Sequence, residues 1–288
     1  MSKENAIKKE RFYLDFLLFV FAIFSYVAIL IYHYHYNRID FDFYYYYDAV
    51  NAFWNGENPF ERFGFIYLNY FCVLYAFLLF PVWLGLLIKT FITALIGLAF
   101  LKAYRKDKND KNLRYWIIAN IFLIYFEFIQ QNVNILVPIV FLLFYKFRDD
   151  RPYVSLLFIL TFYKINTILI FAALIALDIL FKREWKKIIT ECLYLIPVII
   201  IVIISYVSSV NSGYLDSMGS TLGGSLNIIS LMYYFQPQHL FMYSFLIYVF
   251  IDKYKKFEVS LIKKFWITFG VLNAIYFLIW IIYLLFIR

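Results

Sequence analysis

An acidic, aromatic segment holds the densest group of chemically useful side chains in this sequence. It covers residues 40–60, and its first two carboxylates, Asp40 and Asp42, precede a run of four tyrosines that ends with Tyr46 and Tyr47. Aromatic walls lower the dielectric around a carboxylate, which equips it to take a proton from a hydroxyl group. The segment therefore predicts a general base. The competing interpretation is an aromatic belt, because tyrosine and tryptophan favour a membrane interface.

Two lysines lie inside apolar runs, where ionisable side chains are costly and usually functional. Lys164 falls near the end of a short apolar stretch, and its flexible ammonium group is suited to neutralising a phosphate. The alternative is an interfacial lysine whose charged end reaches water. Lys89 falls inside a longer run and is expected to pair with a carboxylate or a carbonyl. Asp15 and Asp178 lie near the ends of their runs and are expected to be solvated.

A metal site is conceivable because His33, His35 and His239 fall toward the same membrane face as Asp40 and Asp42. His33 and His35 are two residues apart, however, and would point in different directions on a helix. We therefore expect no metal, and no other cofactor. The sequence contains no Walker loop, dinucleotide-binding glycine motif or nucleophile elbow. Their absence argues against ATP hydrolysis and serine-hydrolase chemistry.

Composition indicates an integral membrane protein. Of the 288 residues, 64% are hydrophobic and 24% are aromatic, and the mean hydropathy is +0.74. An average soluble domain is about 45–50% apolar, so a water-soluble fold of this size would leave much apolar surface uncovered. Apolar stretches recur along the whole chain, and the polar breaks between them are short. We therefore predict one polytopic, all-α membrane domain that covers residues 1–288.

The placement of the basic residues predicts which segments face the cytoplasm. The net charge of +8 would suit a nucleic-acid partner, but 22 of the 27 lysines and arginines lie in five short segments. Those segments are alternate loops, which is the positive-inside pattern of membrane proteins. We therefore expect a multi-pass protein of the cell membrane with a cytoplasmic N-terminus and no nucleic-acid partner. The five segments are 1–11, 102–114, 146–151, 182–187 and 253–264.

Charge parity and a length of about 20 residues per crossing predict about nine transmembrane helices. Residues 12–36 form the first crossing and lead to an outer loop, 37–63, that would carry the catalytic residues. Residues 64–80 are expected to form a helix lying in the outer leaflet, broken at Pro81. Residues 82–101 then cross back to the cytoplasmic side.

The second half of the chain contains a pair of short segments. Residues 153–181 are too few for two full crossings, so we predict short helices or a re-entrant pair that turns near residues 164–167. A second outer loop is expected at residues 211–225. An interfacial helix is expected after it, at residues 226–235.

The first outer loop resembles a motif of the GT-C glycosyltransferases, in the branch of polyprenyl-phosphate-mannose-dependent mannosyltransferases (family 87). The motif reads D-F-x-x-Y-Y-x-A and then G-x-x-P-[YF]. It is matched here by Asp42, Phe43, Tyr46, Tyr47, Ala49, Gly56, Pro59 and Phe60. Tyr67, Asn134 and Lys164 each keep one residue of a further motif of this family. The chain looks like a shortened member.

The resemblance implies a GT-C-like fold and an inverting transfer at the outer membrane face. A sugar, mannose or another hexose, would pass from a polyprenyl-phosphate carrier to a glycan, lipid or protein acceptor within the membrane lipids. The base would be Asp42, with Asp40 as its alternative, because a two-residue shift in the alignment is easily made. The other implied residues are Lys164 and Arg62 at the donor phosphate, and Tyr46, Tyr47 and Asn134 in the donor and acceptor pocket.

Two other functions compete with this interpretation. A lipid or solute transporter would use Lys89 and Lys164 to line a pathway and the outer loop as a gate. A catalytically inactive relative of the glycosyltransferases would serve as a subunit of a larger assembly.

Overall fold

The fold is all-helical over the residues that the computed structural model describes, which confirms the predicted fold class. Those residues are 16, 18–31, 42–62, 65, 67–106, 110–120, 136–221, 237–254 and 257–286. Within them, every regular element is an α-helix or a 3₁₀ helix, and none is a strand.

The helices are numbered in chain order. The α-helices are α1 Leu18–Ile31, α2 Asp42–Trp54, α3 Tyr70–Leu74, α4 Val82–Lys106, α5 Lys111–Ala119, α6 Leu136–Phe147, α7 Ile165–Leu180, α8 Trp185–Asn211, α9 Tyr214–Thr221, α10 Pro237–Tyr254 and α11 Val259–Phe286. The 3₁₀ helices are Pro59–Glu61, Ala76–Leu79 and Pro152–Leu160.

Among the residues that the structure describes, two helices are long and apolar enough to cross a membrane. They are α4, over Val82–Ala99 with a mean hydropathy of 2.0, and α8, with a mean hydropathy of 2.6. The structure also contains shorter apolar helices, which are α1, α6 and α7. The α4 helix begins directly after Pro81, where the sequence predicted a break. The larger number of nine crossings stays a prediction.

The segment expected to be an outer loop, 37–63, contains a helix. The α2 helix covers Asp42–Trp54, and it forms because Phe43, Tyr46 and Val50 recur at helical spacing and are buried. Its indole and amide side chains fix it to the next segment. Trp54 Nε1 donates to the Cys72 carbonyl at 3.1 Å, and Asn51 Nδ2 donates to the Leu78 carbonyl at 3.2 Å.

The single helix predicted over residues 64–80 is wrong. Two short helical pieces, α3 and Ala76–Leu79, occupy the end of this segment, and residues 67–69 before them are not helical. The physical reason is that the amides of residues 68–70 donate to other parts of the chain. An amide that is bonded outside its own segment cannot also close a helical turn.

Two short helical elements lie between residues 153 and 181, where the sequence predicted a pair. They are the 3₁₀ helix Pro152–Leu160, about 18 Å long, and α7, about 24 Å long. The turn between them lies at residues 161–164, which overlaps the predicted range 164–167 only at Lys164. Both elements are shorter than the roughly 30 Å hydrocarbon core of a bilayer. Re-entry of this pair into a membrane stays a prediction.

The second predicted outer loop, 211–225, also contains a helix, α9. The hydroxyl group of Ser217 in α9 donates to the Phe65 carbonyl at 2.8 Å, which attaches this region to the segment before α3. Residues 222–225 and the interfacial helix predicted at 226–235 lie outside the described residues.

A buried ionic cluster joins four helices at the far end of α7. Asp178 of α7 is fully buried, so the expectation that it is solvated is wrong. Its carboxylate accepts two hydrogen bonds from Arg148, just after α6, at 2.5 and 2.7 Å. It also forms an ion pair with Lys253 of α10, at 2.9 Å. Arg183 lies 3.4 Å from Asp178 and also pairs with Glu191 of α8, which is fully buried. We call these five residues the ionic cluster.

A tight turn after α7 brings Arg183 to the ionic cluster. The Arg183 amide donates to the Asp178 carbonyl at 2.9 Å, and the Lys182 amide donates to the Ile179 carbonyl at 3.0 Å. This pair of bonds is a Schellman motif, which requires one residue in the left-handed region. Lys182 occupies that position with φ 56°, where glycine is usual.

Candidate functional site

Five aromatic side chains from three parts of the chain pack into one buried group at the other end of α7. Phe71 stacks on Tyr67 and Tyr75, with ring centroids 5.0 and 4.2 Å apart, and meets the Tyr163 ring edge-on at 5.0 Å. Tyr46 of α2 meets the Tyr67 ring at 5.5 Å. All five side chains are at most 5% exposed. We call Tyr46, Tyr67, Phe71, Tyr75 and Tyr163 the aromatic cluster.

Lys164 is a buried cation against the aromatic cluster. Its side chain is 8% exposed, and its ammonium nitrogen lies 5.8 Å from the centroid of the Tyr67 ring. Such a cation–π contact stabilises a charge that has lost water. The sequence-based alternative, in which this lysine reaches solvent, does not describe a residue so deeply buried.

The position of Lys164 in the backbone adds to its positive potential. Lys164 is the N-cap residue of α7, and its own side chain makes no capping hydrogen bond to that helix end. The first amides of a helix point outward with partial positive charge, and the aligned peptide dipoles add to it. A helix N-terminus with an ammonium group beside it is a favourable place for an anion such as a phosphate.

The aromatic cluster connects Lys164 to the helix that carries the predicted base. The hydroxyl oxygens of Tyr46 and Tyr67 are 3.2 Å apart, within hydrogen-bonding distance. Asp42 is the first residue of α2, one helical turn before Tyr46. Tyr67 therefore lies between two regions that the sequence predicted separately, because it contacts Tyr46 on one side and Lys164 on the other.

Serines of α8 hold the segment that presents Tyr67. The hydroxyl oxygens of Ser209 and Ser205 accept hydrogen bonds from the Asn69 amide at 2.9 Å and the Tyr70 amide at 3.0 Å. The Leu68 amide donates to the Tyr163 carbonyl at 3.0 Å. Since buried amides need partners, these bonds fix the backbone between Tyr67 and α3.

Several buried polar atoms near this region have no hydrogen-bond partner among the described residues. They include Asn69 Oδ1, the Tyr70 hydroxyl group and Asn166 Oδ1. Asn166 lies two residues after Lys164, and the Tyr70 ring is 6.1 Å from that of Tyr163. Orphaned buried polar atoms are rare in proteins and are often satisfied by water or a ligand.

Arg62 is held by a carboxylate rather than by the aromatic cluster. Its guanidinium group pairs with Glu57, and both side chains are about half exposed. Desolvation raises the pKa of Asp48 on α2, and the positive charge of Arg62 opposes that rise. Arg62 therefore interacts with the acidic residues Glu57 and Asp48 of its own segment.

The remaining predicted residues are separate from the cluster or outside the described part of the chain. Tyr47 is half-buried and stacks on Phe43, with centroids 6.2 Å apart. Asp40 and Asn134 lie outside the described residues, as do His33 and His35. Among the residues that the structure describes, no group of three histidine, cysteine or acidic side chains could hold a metal ion.

Sequence reasoning did not assign a role to several residues of this site. In the sequence, Tyr67 matched only one residue of a family motif. In the structure it contacts both Lys164 and Tyr46. Ser205, Ser208, Ser209 and Ser212 recur at helical spacing in an otherwise apolar helix. Polar residues spaced in this way on an apolar helix indicate a buried polar face, and that signal was present in the sequence.

Comparisons with known proteins leave the chain without an identified relative. No family model, no curated protein and no solved structure matches it.

Proposed function

We propose that this protein is a multi-pass membrane glycosyltransferase of GT-C type that moves a hexose from a polyprenyl-phosphate carrier to an acceptor hydroxyl group. The observation that carries the proposal is the convergence at Tyr67. Lys164, at the N-terminus of α7, contacts one side of this residue, and the helix that begins with Asp42 contacts it through Tyr46.

A location in the membrane is supported by the apolar surface of the helices. In the apolar span of α8 only 33% of the residues are buried, and in Val82–Ala99 of α4 only 39% are buried. The outward side chains of α8 are mostly large aliphatic groups such as Ile200, Ile203 and Ile204. Soluble proteins rarely expose a continuous apolar surface of this size, whereas acyl chains cover it without cost.

The charge at the N-terminus of α7 suits the phosphate of the donor. In the proposed complex, Lys164 and the first amides of α7 contact the phosphate oxygens. Arg62 is the weaker of the two proposed phosphate ligands, because Glu57 already binds its guanidinium group. The orphaned atoms of Asn69, Tyr70 and Asn166 would accept or donate hydrogen bonds to hydroxyl groups of the sugar.

The proposed reaction is a single displacement. Asp42 removes the proton of the acceptor hydroxyl group, whose oxygen attacks the anomeric carbon from the face opposite the phosphate. The bond between that carbon and the phosphate oxygen breaks, and the anomeric configuration is inverted. Lys164 stabilises the negative charge that develops on the departing polyprenyl phosphate. The reaction requires neither a metal nor a nucleotide sugar.

Transfer from a radiolabelled polyprenyl-phosphate sugar tests this function. Membranes that contain the protein are expected to transfer label to an acceptor, with mannose, glucose and galactose donors in separate reactions. Asp42→Asn is expected to abolish transfer while the protein stays folded. Asp48→Asn is the matched control, because Asp48 lies on the same helix and the proposed reaction assigns it no role. Undiminished transfer by Asp42→Asn would overturn the assignment, and Asp40→Asn would then test the alternative base.

A transporter is a second candidate function, and one observation favours it. Lys89 of α4 is 2% exposed, and Thr90 and Thr93 beside it are buried as well. A buried polar strip inside an apolar helix is typical of a transport pathway. Flux of lipid or solute in proteoliposomes, without glycosyl transfer, would favour this function. Absence of both activities would favour a catalytically inactive subunit.

A further inference from the structure

The exposed face of α8 has three zones along its length. Trp185 at its start is 61% exposed, and Lys186 and Lys187 beside it are exposed as well. The exposed side chains that share one face of the next turns are aliphatic, and Ser208 follows them as an exposed polar residue. The aliphatic residues of this face are Ile189, Leu193, Ile196, Ile200, Ile203 and Val207.

The length of this face matches the hydrocarbon core of a bilayer. From Trp185 to Val207 the helix rises about 33 Å, and the hydrocarbon core is roughly 30 Å thick. A small tilt of the helix accommodates the difference. Because tryptophan favours the edge of the hydrocarbon, Trp185 marks one boundary. The return of polar side chains at Ser208 marks the other.

The Trp185 end of α8 also has the charge that suits the cytoplasmic leaflet. Residues 182–187 contain four basic side chains and one acidic side chain. The headgroup layer of that leaflet is negatively charged and attracts such a segment. The last turns of α8, residues 205–211, contain no charged side chain. The two ends therefore differ in the sense that the positive-inside pattern describes.

Hydrogen bonds to α8 give the depth of the segment that presents Tyr67. The hydroxyl oxygens of Ser205 and Ser209 accept the backbone amides of residues 69–70, at 3.0 and 2.9 Å. Val207 lies between these two serines in the helix. The backbone that follows Tyr67 is therefore level with the boundary of the hydrocarbon.

The α7 helix gives a similar depth for Lys164. Lys164 precedes Asp178 by 14 residues, a rise of about 21 Å along α7. Ser205 follows Glu191 by 14 residues in α8, which is the same rise. Arg183 pairs with both carboxylates, so Asp178 and Glu191 lie at one level. Lys164 therefore lies near the level of Ser205.

We propose that the bilayer covers α8 from Trp185 to Val207, and that Lys164 and Tyr67 lie at the headgroup level of the leaflet opposite Trp185. The acyl chains of phospholipids contact the aliphatic face of α8. A phosphate carried by a lipid of that leaflet lies at the level of Lys164. The inference rests on the membrane location in the proposed function but not on glycosyl transfer.

Depth-dependent fluorescence quenching tests the proposal on the full chain in nanodiscs. A fluorescent maleimide is attached to a cysteine introduced at Trp185, Ile196 or Val207, in a Cys192→Ala background where the remaining Cys72 is buried. Nitroxides on the lipid headgroup and along the acyl chain give the depth of each label. The Ile196→Cys label is expected near the bilayer centre. The Trp185→Cys and Val207→Cys labels are each expected about 15 Å from it, on opposite sides.

Val73→Cys measures the depth of the proposed site. Val73 is exposed and follows Tyr70 by three residues in α3, a rise of about 5 Å. Its label is expected within about 5 Å of the depth of the Val207→Cys label. The matched control is Asp216→Cys on α9, because Asp216 is exposed and charged and follows the end of α8. Iodide in the water should quench that label, and acyl-chain nitroxides should not.

Two results would overturn the proposal. The first is equal depth for the three α8 labels, or labels that lipid nitroxides do not reach, because α8 would then not cross the bilayer. The second is a Val73→Cys label near the bilayer centre, which would remove the site from the headgroup level. Where a variant at either end of α8 does not fold, Ile189→Cys or Ile203→Cys replaces it, with an expected depth roughly 10 Å from the centre.

Glycosyl transfer is measured separately on the unlabelled chain. The expected depths without any transfer would contradict the proposed function and leave the placement of α8 standing.

Discussion

The two ends of α7 hold charge in opposite ways. At one end Lys164 is buried against the aromatic cluster, near polar atoms that have no partner among the described residues. At the other end, 14 residues or about 21 Å along the helix, Asp178 is buried among three cations. One end combines a buried cation with polar atoms that have no partner among the described residues, and the other end combines buried charges of both signs in ion pairs.

This difference separates a site that stabilises the fold from a site that is suited to a ligand. Buried charges that are paired and hydrogen-bonded hold helices together, and removal of one partner leaves the others without compensation. A buried cation beside polar atoms that have no partner among the described residues is a favourable place for an anionic or polar ligand. We therefore expect changes in the ionic cluster to affect folding, and changes at Lys164 to affect activity.

The largest expected effect is on stability, from Asp178→Asn. This change leaves Arg148, Arg183 and Lys253 with one fewer buried carboxylate, at a cost of about 3–5 kcal/mol in the free energy of unfolding. The unfolding midpoint should fall by roughly 10 °C. Tryptophan fluorescence during heating in nanodiscs would measure it. Asp149→Asn is the control, because that side chain is 61% exposed and should matter by less than about 1 kcal/mol. Equal losses in the two variants would contradict the comparison.

The next effect is on transfer, from Lys164→Met. Loss of a charge-assisted contact to the phosphate should lower transfer by about tenfold to a hundredfold. The midpoint of unfolding should fall by less than it does in Asp178→Asn, because methionine does not carry the free-energy cost of burying a charge. Radiolabel transfer and thermal unfolding are measured on one preparation.

Lys89→Met is the matched control for that experiment, because Lys89 is also a buried lysine in an apolar helix. A glycosyltransferase with its phosphate site at Lys164 is expected to tolerate this change. Equal loss of function in both variants, measured as solute or lipid flux, would instead support the transporter.

A smaller effect is expected from the serines that hold the segment before α3. Ser209→Ala leaves the buried Asn69 amide without its acceptor, and Ser205→Ala does the same to Tyr70. Each change should cost about 1–2 kcal/mol in the free energy of unfolding. Thr190→Ala is the control, because its exposed hydroxyl group bonds only within its own helix, to Lys186. Hydrogen exchange at residues 67–75 should increase in the serine variants alone.

The smallest expected effect is on the stability of the protein at acidic pH, from Asp149→Asn. Partial burial raises the pKa of Asp149, but the hydrogen bond from Arg183 and the nearby positive charges outweigh it, so the pKa is lowered from its ordinary value of 3.8. The resulting stability is present above that ordinary value and is lost as the pH falls through the lowered pKa. Asp149→Asn should therefore flatten the loss of stability only below about pH 4. A difference between the two proteins that appears near neutral pH would contradict this assignment.

Several helix boundaries of this protein were predictable, because they depend on the length of each apolar stretch and on the position of proline. The break at Pro81 and the short helical elements on either side of Lys164 follow from the proline, the apolar lengths and charge parity. The α2 helix was not expected. Its buried residues Phe43, Tyr46 and Val50 are interspersed with acidic and polar residues, so the segment has the composition of a polar loop.

The contacts of the site were less predictable, because they join residues far apart in the chain. Asp178 looked solvated from its neighbours, and its partners Arg148 and Lys253 come from other helices. Tyr67 meets Tyr163 from almost a hundred residues away. A sequence without aligned relatives carries little information about such pairs, so the role of Tyr67 depends on the fold.

The left-handed turn at Lys182 has a consequence for handling this protein in the laboratory. A side chain at that φ costs roughly 1–2 kcal/mol relative to glycine, which adopts it without strain. Detergent-solubilised membrane proteins are often limited by lifetime rather than by yield. Lys182→Gly would relieve the strain without changing the aromatic cluster, and it offers a first step toward a preparation that survives long enough for binding measurements with a lipid donor.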